Sequence, residues 1–248
     1  MSGLATPAGA AAWHDVECAS YAADLPLWRE LCTEHPGAVL DLGCGTGRVA
    51  LDLARLGHAV TAIDAEATLV AALVERARAE SLGVRALAGD ARSLSLDCAF
   101  ALAIAPMQVV QLLGGSPGRR SMLASVCDHL APGGLAAIAL ADPFDAVPAG
   151  EALPPLPDVL ERDGWVLSST PLAVRDQGDA VVIDRRRQAV SPTGELTEEV
   201  ATIVLDAVSR SRLEAEAAQA GLRPLAPRRV PATRDYVAST VVMLEAAT

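Results

Sequence analysis

One stretch, residues 39–64, constrains the fold of this chain more than any other. A buried strand leads into a loop containing Gly43, Gly45 and Gly47, a helix follows, and a second strand ends at Asp64. Glycine permits the unusual backbone angles of such a loop and the close approach of a ligand. The first amides of the helix suit a carboxylate or phosphate, and an acidic group at the tip of the second strand can accept both hydroxyls of a ribose. The stretch therefore predicts a site for an adenosine-containing ligand.

The same alternation of strands and helices continues through the first half of the chain. Strands are predicted at about 38–42, 59–63, 84–88, 97–105 and 134–141, and helices at 46–56, 66–81 and 117–130. Ser116 followed by Pro117 is a good start for the third helix. Alternation of this kind is typical of βαβ units, and the almost continuously apolar strands indicate helices on both faces of a sheet. This half is predicted to be a doubly wound α/β domain.

The second half of the chain changes character after Phe144. Residues 147–157 contain four prolines and are interpreted as a linker. Three strands at 165–174, 180–190 and 196–208, separated by turn-forming residues, predict an antiparallel β-meander. A helix at 209–220, with Ser209 as a cap and Gly221 as its stop, precedes two strands at 222–230 and 239–245 that complete the main sheet.

The predicted fold class is α/β, with a Rossmann-like doubly wound sheet that is mostly parallel, has an antiparallel last strand and carries the inserted meander. The predicted domains are a helical lead-in or lid at 1–37, an α/β domain at 38–146 and 207–248, and an insertion at 147–206. The insertion is expected to serve as a substrate cover or as a dimer contact, so a homodimer is one interpretation of it.

Two further motifs accompany the glycine loop. Gly89-Asp90-Ala91 follows the third strand, and Leu130-Ala131-Pro132-Gly133-Gly134 comes before the fifth. Together with the DLGCGTG loop, these motifs resemble the class I S-adenosylmethionine-dependent methyltransferases over roughly residues 26–142. The dinucleotide fingerprint G-x-G-x-x-G fits less well, because Arg48 stands where its third glycine is required.

The resemblance implies S-adenosylmethionine as cofactor and assigns roles to matching positions. Asp41 and the glycine loop would hold the methionine moiety, whose ammonium group would meet the backbone near Gly43. Asp64 would bind the ribose hydroxyls and Asp90 the adenine amino group, while the segment from Ala105 to Met107 would line the methyl-transfer cleft. The implied cofactor-binding residues are Tyr21, Asp41, Gly43, Cys44, Gly45, Gly47, Asp64, Ala65, Asp90, Ala91, Ala105 and Met107.

Several of these positions also have a simpler interpretation. Asp90 could serve simply as a helix cap. Arg48 could be a solvated helix residue, and Cys44 could be a small buried residue that fills space. The amino-terminal run from Trp13 to Asp24 resembles a lead-in that folds over the cofactor in one branch of small-molecule methyltransferases.

Methyl transfer from a sulfonium is an in-line displacement, so the main tasks of the protein are alignment and the exclusion of water. An amine acceptor needs no strong base, whereas a hydroxyl acceptor calls for one in the cleft. By location, the candidate bases are His14, Asp15, Tyr21, Asp142 and Asp145, and the sequence does not choose among them.

Composition excludes several classes of partner. The 248 residues carry a formal net charge of −11 and only 3% aromatic residues, which argues against nucleic acid and anionic lipid. The amino terminus has no secretory pattern, and the longest apolar stretch, 98–113, is interrupted and too short to cross a membrane. Five scattered cysteines without a CxxC pair predict a reducing cytoplasm, and neither they nor the four histidines have metal-ligand spacing.

The predicted function is that of a cytoplasmic S-adenosylmethionine-dependent methyltransferase that modifies an oxygen or nitrogen atom of a small molecule. Two alternatives remain open. One is a non-catalytic module that binds S-adenosylmethionine, and the other is an NAD(P)-dependent oxidoreductase.

Overall fold

A computed structural model of the chain describes residues 9–141, 156–233 and 236–247. The helices are α1 (Ala10–Cys18), α2 (Leu25–Glu34), α3 (Arg48–Arg55), α4 (Ala67–Ala79), α5 (Gly115–His129) and α6 (Arg210–Gln219). The first five strands are β1 (Val39–Leu42), β2 (Val60–Asp64), β3 (Val84–Ala88), β4 (Phe100–Ala105) and β5 (Leu130–Ala141). The remaining strands are β6 (Asp158–Arg162), β7 (Trp165–Asp176), β8 (Ala180–Val190), β9 (Leu196–Asp206), β10 (Leu222–Pro224), β11 (Arg228–Val230) and β12 (Ser239–Ala246).

The main sheet has the order β10-β12-β5-β4-β1-β2-β3, with β11 also paired to β12. Strands β1 to β5 are mutually parallel, whereas β12 runs antiparallel to β5. The predicted mixed, doubly wound sheet is therefore confirmed. Strand β1 lies between β2 and β4, which is the point where the strand order reverses and where such sheets bind ligands at their carboxyl edge.

The core consists of two apolar clusters, one on each face of this sheet. On one face, Trp28 and Leu31 of α2 pack with Leu53 of α3 and Leu73 of α4. On the other face, α5 and α6 contribute a second fully buried set that includes Leu123 and Leu213. Burial of this apolar surface provides the main stabilisation of the fold and holds the carboxyl ends of β1, β2 and β4 in fixed positions.

A separate antiparallel sheet has the order β6-β7-β8-β9. The expected meander is present, but the expectation of three strands was wrong, because β6 adds a fourth. Strands β6 and β7 are joined at Asp163-Gly164, where both residues have positive φ, as a tight hairpin requires. The expected linker at 147–157 ends just before β6, and its residues 147–155 lie outside the described part of the chain. One face of the sheet packs on α1, where Trp13 and Val16 meet Leu167.

Two elements differ from the sequence prediction, and one predicted helix cap is confirmed. Helix α5 begins at Gly115 after Gly114 in a left-handed conformation, and the Ser116 hydroxyl bonds Glu216 instead of capping the helix. The strand expected at 222–230 is divided into β10 and β11. Ser209 does cap α6, since its hydroxyl accepts a hydrogen bond from the Arg212 amide. In the described ranges, none of the helices is both long and apolar enough to cross a membrane.

Candidate cofactor and acceptor site

A cavity of about 410 Å³ lies where β1, β2 and β4 end. It is lined by eight of the residues that the sequence assigned to the cofactor: Asp41, Gly43, Cys44, Asp64, Ala65, Asp90, Ala91 and Met107. The parallel strands bring these positions together, because their carboxyl ends share one edge of the sheet. Gly45, Gly47, Tyr21 and Ala105 do not belong to this lining.

The carboxylate of Asp41 is the most unusual group in the cavity. The residue is 1% exposed, and neither of its oxygens has a hydrogen-bond partner among the described residues. Burial raises its pKa to about 7; the Arg48 charge and the nearby Ala50 amide, which does not reach hydrogen-bond geometry, offset this only partly. A buried carboxylate without a partner is costly, so this position is suited to a ligand that brings a hydrogen-bond donor or a positive charge.

Asp64 borders the cavity and also holds the glycine loop through hydrogen bonds. Its Oδ2 accepts a hydrogen bond of 2.8 Å from the Gly45 amide, and its Oδ1 accepts one of 2.9 Å from the Glu66 amide. The carboxylate therefore ties the end of β2 to the loop that follows β1.

The loop glycines have the left-handed φ values expected of them, +64° at Gly43, +53° at Gly45 and +96° at Gly47. The space beside them, however, is filled by the protein itself. A β-carbon would lie 2.4 Å from Val109 at Gly43, 2.2 Å from His14 at Gly45 and 2.3 Å from Leu73 at Gly47. The expectation that side chains here would collide with a ligand is corrected: they would collide first with the chain's own residues.

Arg48 is not the solvated helix residue that the sequence suggested. Its side chain is 9% exposed and forms two hydrogen bonds, of 2.5 and 2.7 Å, with the Asp24 carboxylate. It also donates to the Tyr21 carbonyl at 2.9 Å, and its guanidinium carbon lies 5.1 Å from the centre of the Tyr21 ring. Arg48 thereby joins the cofactor loop to the segment that precedes α2.

Asp90 has the local role that the sequence offered as its simpler interpretation. Its carboxylate accepts a hydrogen bond of 2.8 Å from the Arg92 amide, which caps a short 3₁₀ turn, and it also pairs with the Arg92 guanidinium. These bonds from Arg92 hold the pKa of Asp90 below its usual value. Because this ion pair is solvent-accessible, its net stabilisation is small and a ligand could replace it.

Helix α1 lies over the glycine loop. His14 lines the cavity, and its Nδ1 is 3.2 Å from the Thr46 hydroxyl. Asp15 accepts hydrogen bonds from Thr46 at 2.8 Å, from Arg76 at 2.5 Å and from Arg162 at 2.9 Å. Burial raises the pKa of Asp15, but these hydrogen bonds outweigh burial and hold it below the usual value. Asp15 is thus fully engaged in holding α1, which is a correction to its place among the candidate bases.

Tyr21 lines a second, smaller pocket of about 40 Å³ beside the cavity. Its ring packs on Tyr236 with centroids 4.8 Å apart, and the two pockets share Met107 and Gln108. Burial raises the pKa of Tyr21, so the phenol keeps its proton. The sequence had assigned Tyr21 to the cofactor, and it had not identified Gln108 because no motif marks it.

Four predicted positions remain, of which the structure describes two. Ala105 is buried at the end of β4, and Pro106 and Met107 after it reach the cavity. Met107 has a left-handed φ of +58°, uncommon for a residue with a side chain and often found at functional sites. Asp142 and Asp145 lie outside the described residues. Within those residues, no group of three His, Cys, Asp or Glu side chains is placed to hold a metal ion.

Comparison with known families gives a match to the family described as "Methyltransferase domain" over residues 39–134. This segment contains the glycine loop, Asp64 and the Asp90 turn, so the predicted resemblance to class I S-adenosylmethionine-dependent methyltransferases is confirmed.

The relatives of the methyltransferase domain are consistent with this family. A cypemycin N-terminal methyltransferase of Streptomyces sp is 34% identical over 112 residues, which cover 45% of each chain. The chain matches less than half the length of its curated relatives. A sugar N-methyltransferase structure from Streptoalloteichus sp covers 100% of this chain and 96% of its own, with 17% identity and a TM-score of 0.74. An amino pentose methyltransferase structure from Micromonospora echinaspora covers 98% of this chain and 99% of its own, with 20% identity and a TM-score of 0.69.

Proposed function

We propose that this chain uses S-adenosylmethionine to methylate a nitrogen atom of a small molecule. The single observation that carries the proposal is the unpaired, buried carboxylate of Asp41 at the wall of the main cavity. A ligand with an ammonium group would supply the hydrogen-bond donor that this carboxylate lacks. S-Adenosylmethionine has such a group, and the other lining residues suit the rest of the molecule.

The remaining lining residues divide into three parts. Gly43 and Cys44 would offer backbone to the methionine end, Asp64 and Ala65, at the end of β2, would meet the ribose, and Asp90 and Ala91 would meet the adenine. For Asp90 to accept from the adenine amino group, its ion pair with Arg92 would have to rearrange. These assignments follow the family resemblance residue by residue.

When bound, the cofactor supplies an electrophilic methyl group on a sulfonium. The residues of the chain would then align the acceptor and exclude water. Met107 and Gln108 border both pockets, so an acceptor nitrogen in the smaller pocket would meet the cofactor beside them. The Tyr21 and Tyr236 rings form an aromatic wall that would attract the positive charge developing on the nitrogen.

Two observations favour nitrogen over oxygen as the acceptor. The described lining of the smaller pocket offers the hydroxyl groups of Tyr21, Tyr236 and Ser239 but no carboxylate or imidazole that could deprotonate an alcohol. In addition, the relatives described above are an N-terminal methyltransferase, a sugar N-methyltransferase and an amino pentose methyltransferase. A neutral amine already carries the required lone pair and needs no strong base.

The test is a screen of matched acceptor pairs with release of S-adenosylhomocysteine as the readout. In one kind of pair, an amino sugar is compared with the same sugar that has a hydroxyl in place of the amine. In the other kind, a short peptide is compared with its N-acetylated form. We expect turnover only with free amines, increasing as pH rises toward the pKa of the amine. Turnover with a hydroxyl compound and not with its amine partner would contradict the choice of nitrogen.

An oxidoreductase is disfavoured by the surroundings of Arg48. This side chain occupies the position of the third glycine of a dinucleotide fingerprint and is buried in an ion pair with Asp24. The non-catalytic binding module would need no acceptor pocket, whereas the Tyr21 pocket adjoins the cavity. The cytoplasmic location, the division into domains and the homodimer stay predictions of the sequence.

A further inference from the structure

The side chain of His14 packs on the glycine loop at the wall of the main cavity. A β-carbon on Gly45 would lie 2.2 Å from Nε2 of His14, so the ring rests directly on the loop backbone. Nδ1 faces the Thr46 hydroxyl at 3.2 Å. Nε2, in contrast, has no hydrogen-bond partner among the described residues, and the ring borders the cavity.

The neighbours of Thr46 determine which nitrogen of His14 carries the hydrogen. The Asp15 carboxylate, bound by Arg76 and Arg162, is charged and can only accept hydrogen bonds. Thr46 donates its single hydroxyl hydrogen to Asp15 at 2.8 Å. The Thr46 oxygen is therefore an acceptor toward His14, and Nδ1 of His14 must be the donor.

The ring is also neutral near pH 7. Burial lowers the pKa of His14, and the Arg48 charge acts in the same direction, although Asp15, Asp64 and Glu17 oppose them. A neutral imidazole has one hydrogen, and here that hydrogen is on Nδ1. Nε2 consequently presents a lone pair, which can accept from a donor and would repel a carboxylate.

We propose that Nε2 of His14 accepts a hydrogen bond from the ammonium group of the methionine moiety, together with the Asp41 carboxylate that belongs to the same cavity lining. This assignment rests on the proposed function, because it requires the cofactor to occupy the main cavity. The ammonium group has three hydrogens, so it can serve both acceptors. His14 is thus a cofactor-binding residue and not the base of the reaction, and its neighbours Thr46 and Asp15 fix its tautomer.

The test compares two ligands that share the adenosine and thioether parts. S-Adenosylhomocysteine has the ammonium group, whereas 5′-methylthioadenosine lacks both the ammonium and the carboxylate. By calorimetry, His14→Ala should weaken binding of S-adenosylhomocysteine about tenfold, the loss of one charge-assisted hydrogen bond. It should leave the affinity for 5′-methylthioadenosine unchanged within about twofold. His35→Ala, at a histidine outside the cavity lining, is the matched control and should change neither affinity.

Two variants at Thr46 test the tautomer without removing the ring. Thr46→Val leaves Nδ1 without its acceptor, so S-adenosylhomocysteine should bind several-fold more weakly, while Thr46→Ser should bind like the wild type. Thermal melting of each empty variant checks that it is folded.

The outcomes separate the two proposals. Equal weakening of both ligands by His14→Ala, or unchanged binding of both, would overturn the role of His14 and leave the cofactor assignment intact. If wild-type protein binds neither ligand, the proposed function fails and the role of His14 fails with it.

Discussion

At the scale of single residues, Asp41 links the stability of the protein to its proposed role in binding the cofactor. The folded protein keeps the Asp41 proton up to a pKa of about 7, whereas the usual value is 3.8. A raised carboxyl pKa favours the folded state at low pH, and this contribution is lost as pH rises from about 4 to 7. At pH 8, the ionised Asp41 lowers the free energy of unfolding by as much as about 4 kcal/mol.

Asp41→Asn should remove this pH dependence. Urea unfolding of the empty variant is expected to show a smaller loss of stability than the wild type between pH 4.5 and 8. The variant should also bind S-adenosylhomocysteine at least about tenfold more weakly, since a charge-assisted bond is lost. A variant with the wild-type pH profile would mean that Asp41 does not carry the buried proton.

Gly45 provides a second test at this scale, because its φ of +53° and the His14 ring leave no room for a side chain. Gly45→Val should displace His14 and strain the loop, so both stability and S-adenosylhomocysteine binding should fall. Gly57→Val is the control: that glycine also has a positive φ, of +88°, but a β-carbon there meets open space. Gly57→Val should therefore lose stability through backbone strain and still bind the ligand.

At the scale of elements, a buried ion pair joins α5 to α6. Arg119 donates to Glu216 at 2.8 and 2.9 Å and to Asp206, at the end of β9, at 2.9 Å. Arg119→Met would leave Glu216 buried without its main partner, which should destabilise the fold by about 3 kcal/mol. Arg210→Met removes the exposed pair with Glu214 in α6 and should cost less than about 0.5 kcal/mol. Denaturant unfolding of the two variants measures the difference, and equal effects would contradict this account of the pair.

Sequence patterns were sufficient for elements whose signal is local. The strand, glycine loop and helix over residues 39–64 are a continuous pattern, and the apolar strands made the parallel sheet predictable. Contacts between distant segments were not predictable in the same way. The ion pair between Asp24 and Arg48 and the packing of His14 on Gly45 depend on how α1 and α2 fold back over the loop. Strand β6 was not predictable in this way, because its five residues, Asp158–Arg162, do not alternate between apolar and polar side chains.

At the scale of the whole molecule, the second sheet has one face on α1, and its other face, called here the open face, carries exposed side chains in the part of the chain that the structure describes. The open face carries a row of exposed apolar side chains, which are Val159, Val166, Leu196, Val200 and Val204. Such a patch is often an interaction surface, so it is where the predicted homodimer contact would lie. Val200→Lys should convert a dimer to a monomer in sedimentation velocity, whereas Val74→Lys, at an exposed valine of α4, should not. A wild-type chain that sediments as a monomer at high concentration would contradict the homodimer.

The cavity at the carboxyl edge of the main sheet is the feature on which the proposed chemistry depends, and calorimetric titration tests it most directly. Purified protein is titrated in parallel with S-adenosylhomocysteine and with NAD under identical conditions. We expect saturable binding of one S-adenosylhomocysteine per chain and no binding of NAD. Binding of NAD, or the absence of any heat with S-adenosylhomocysteine, would contradict the assignment of this cavity to the methyl donor.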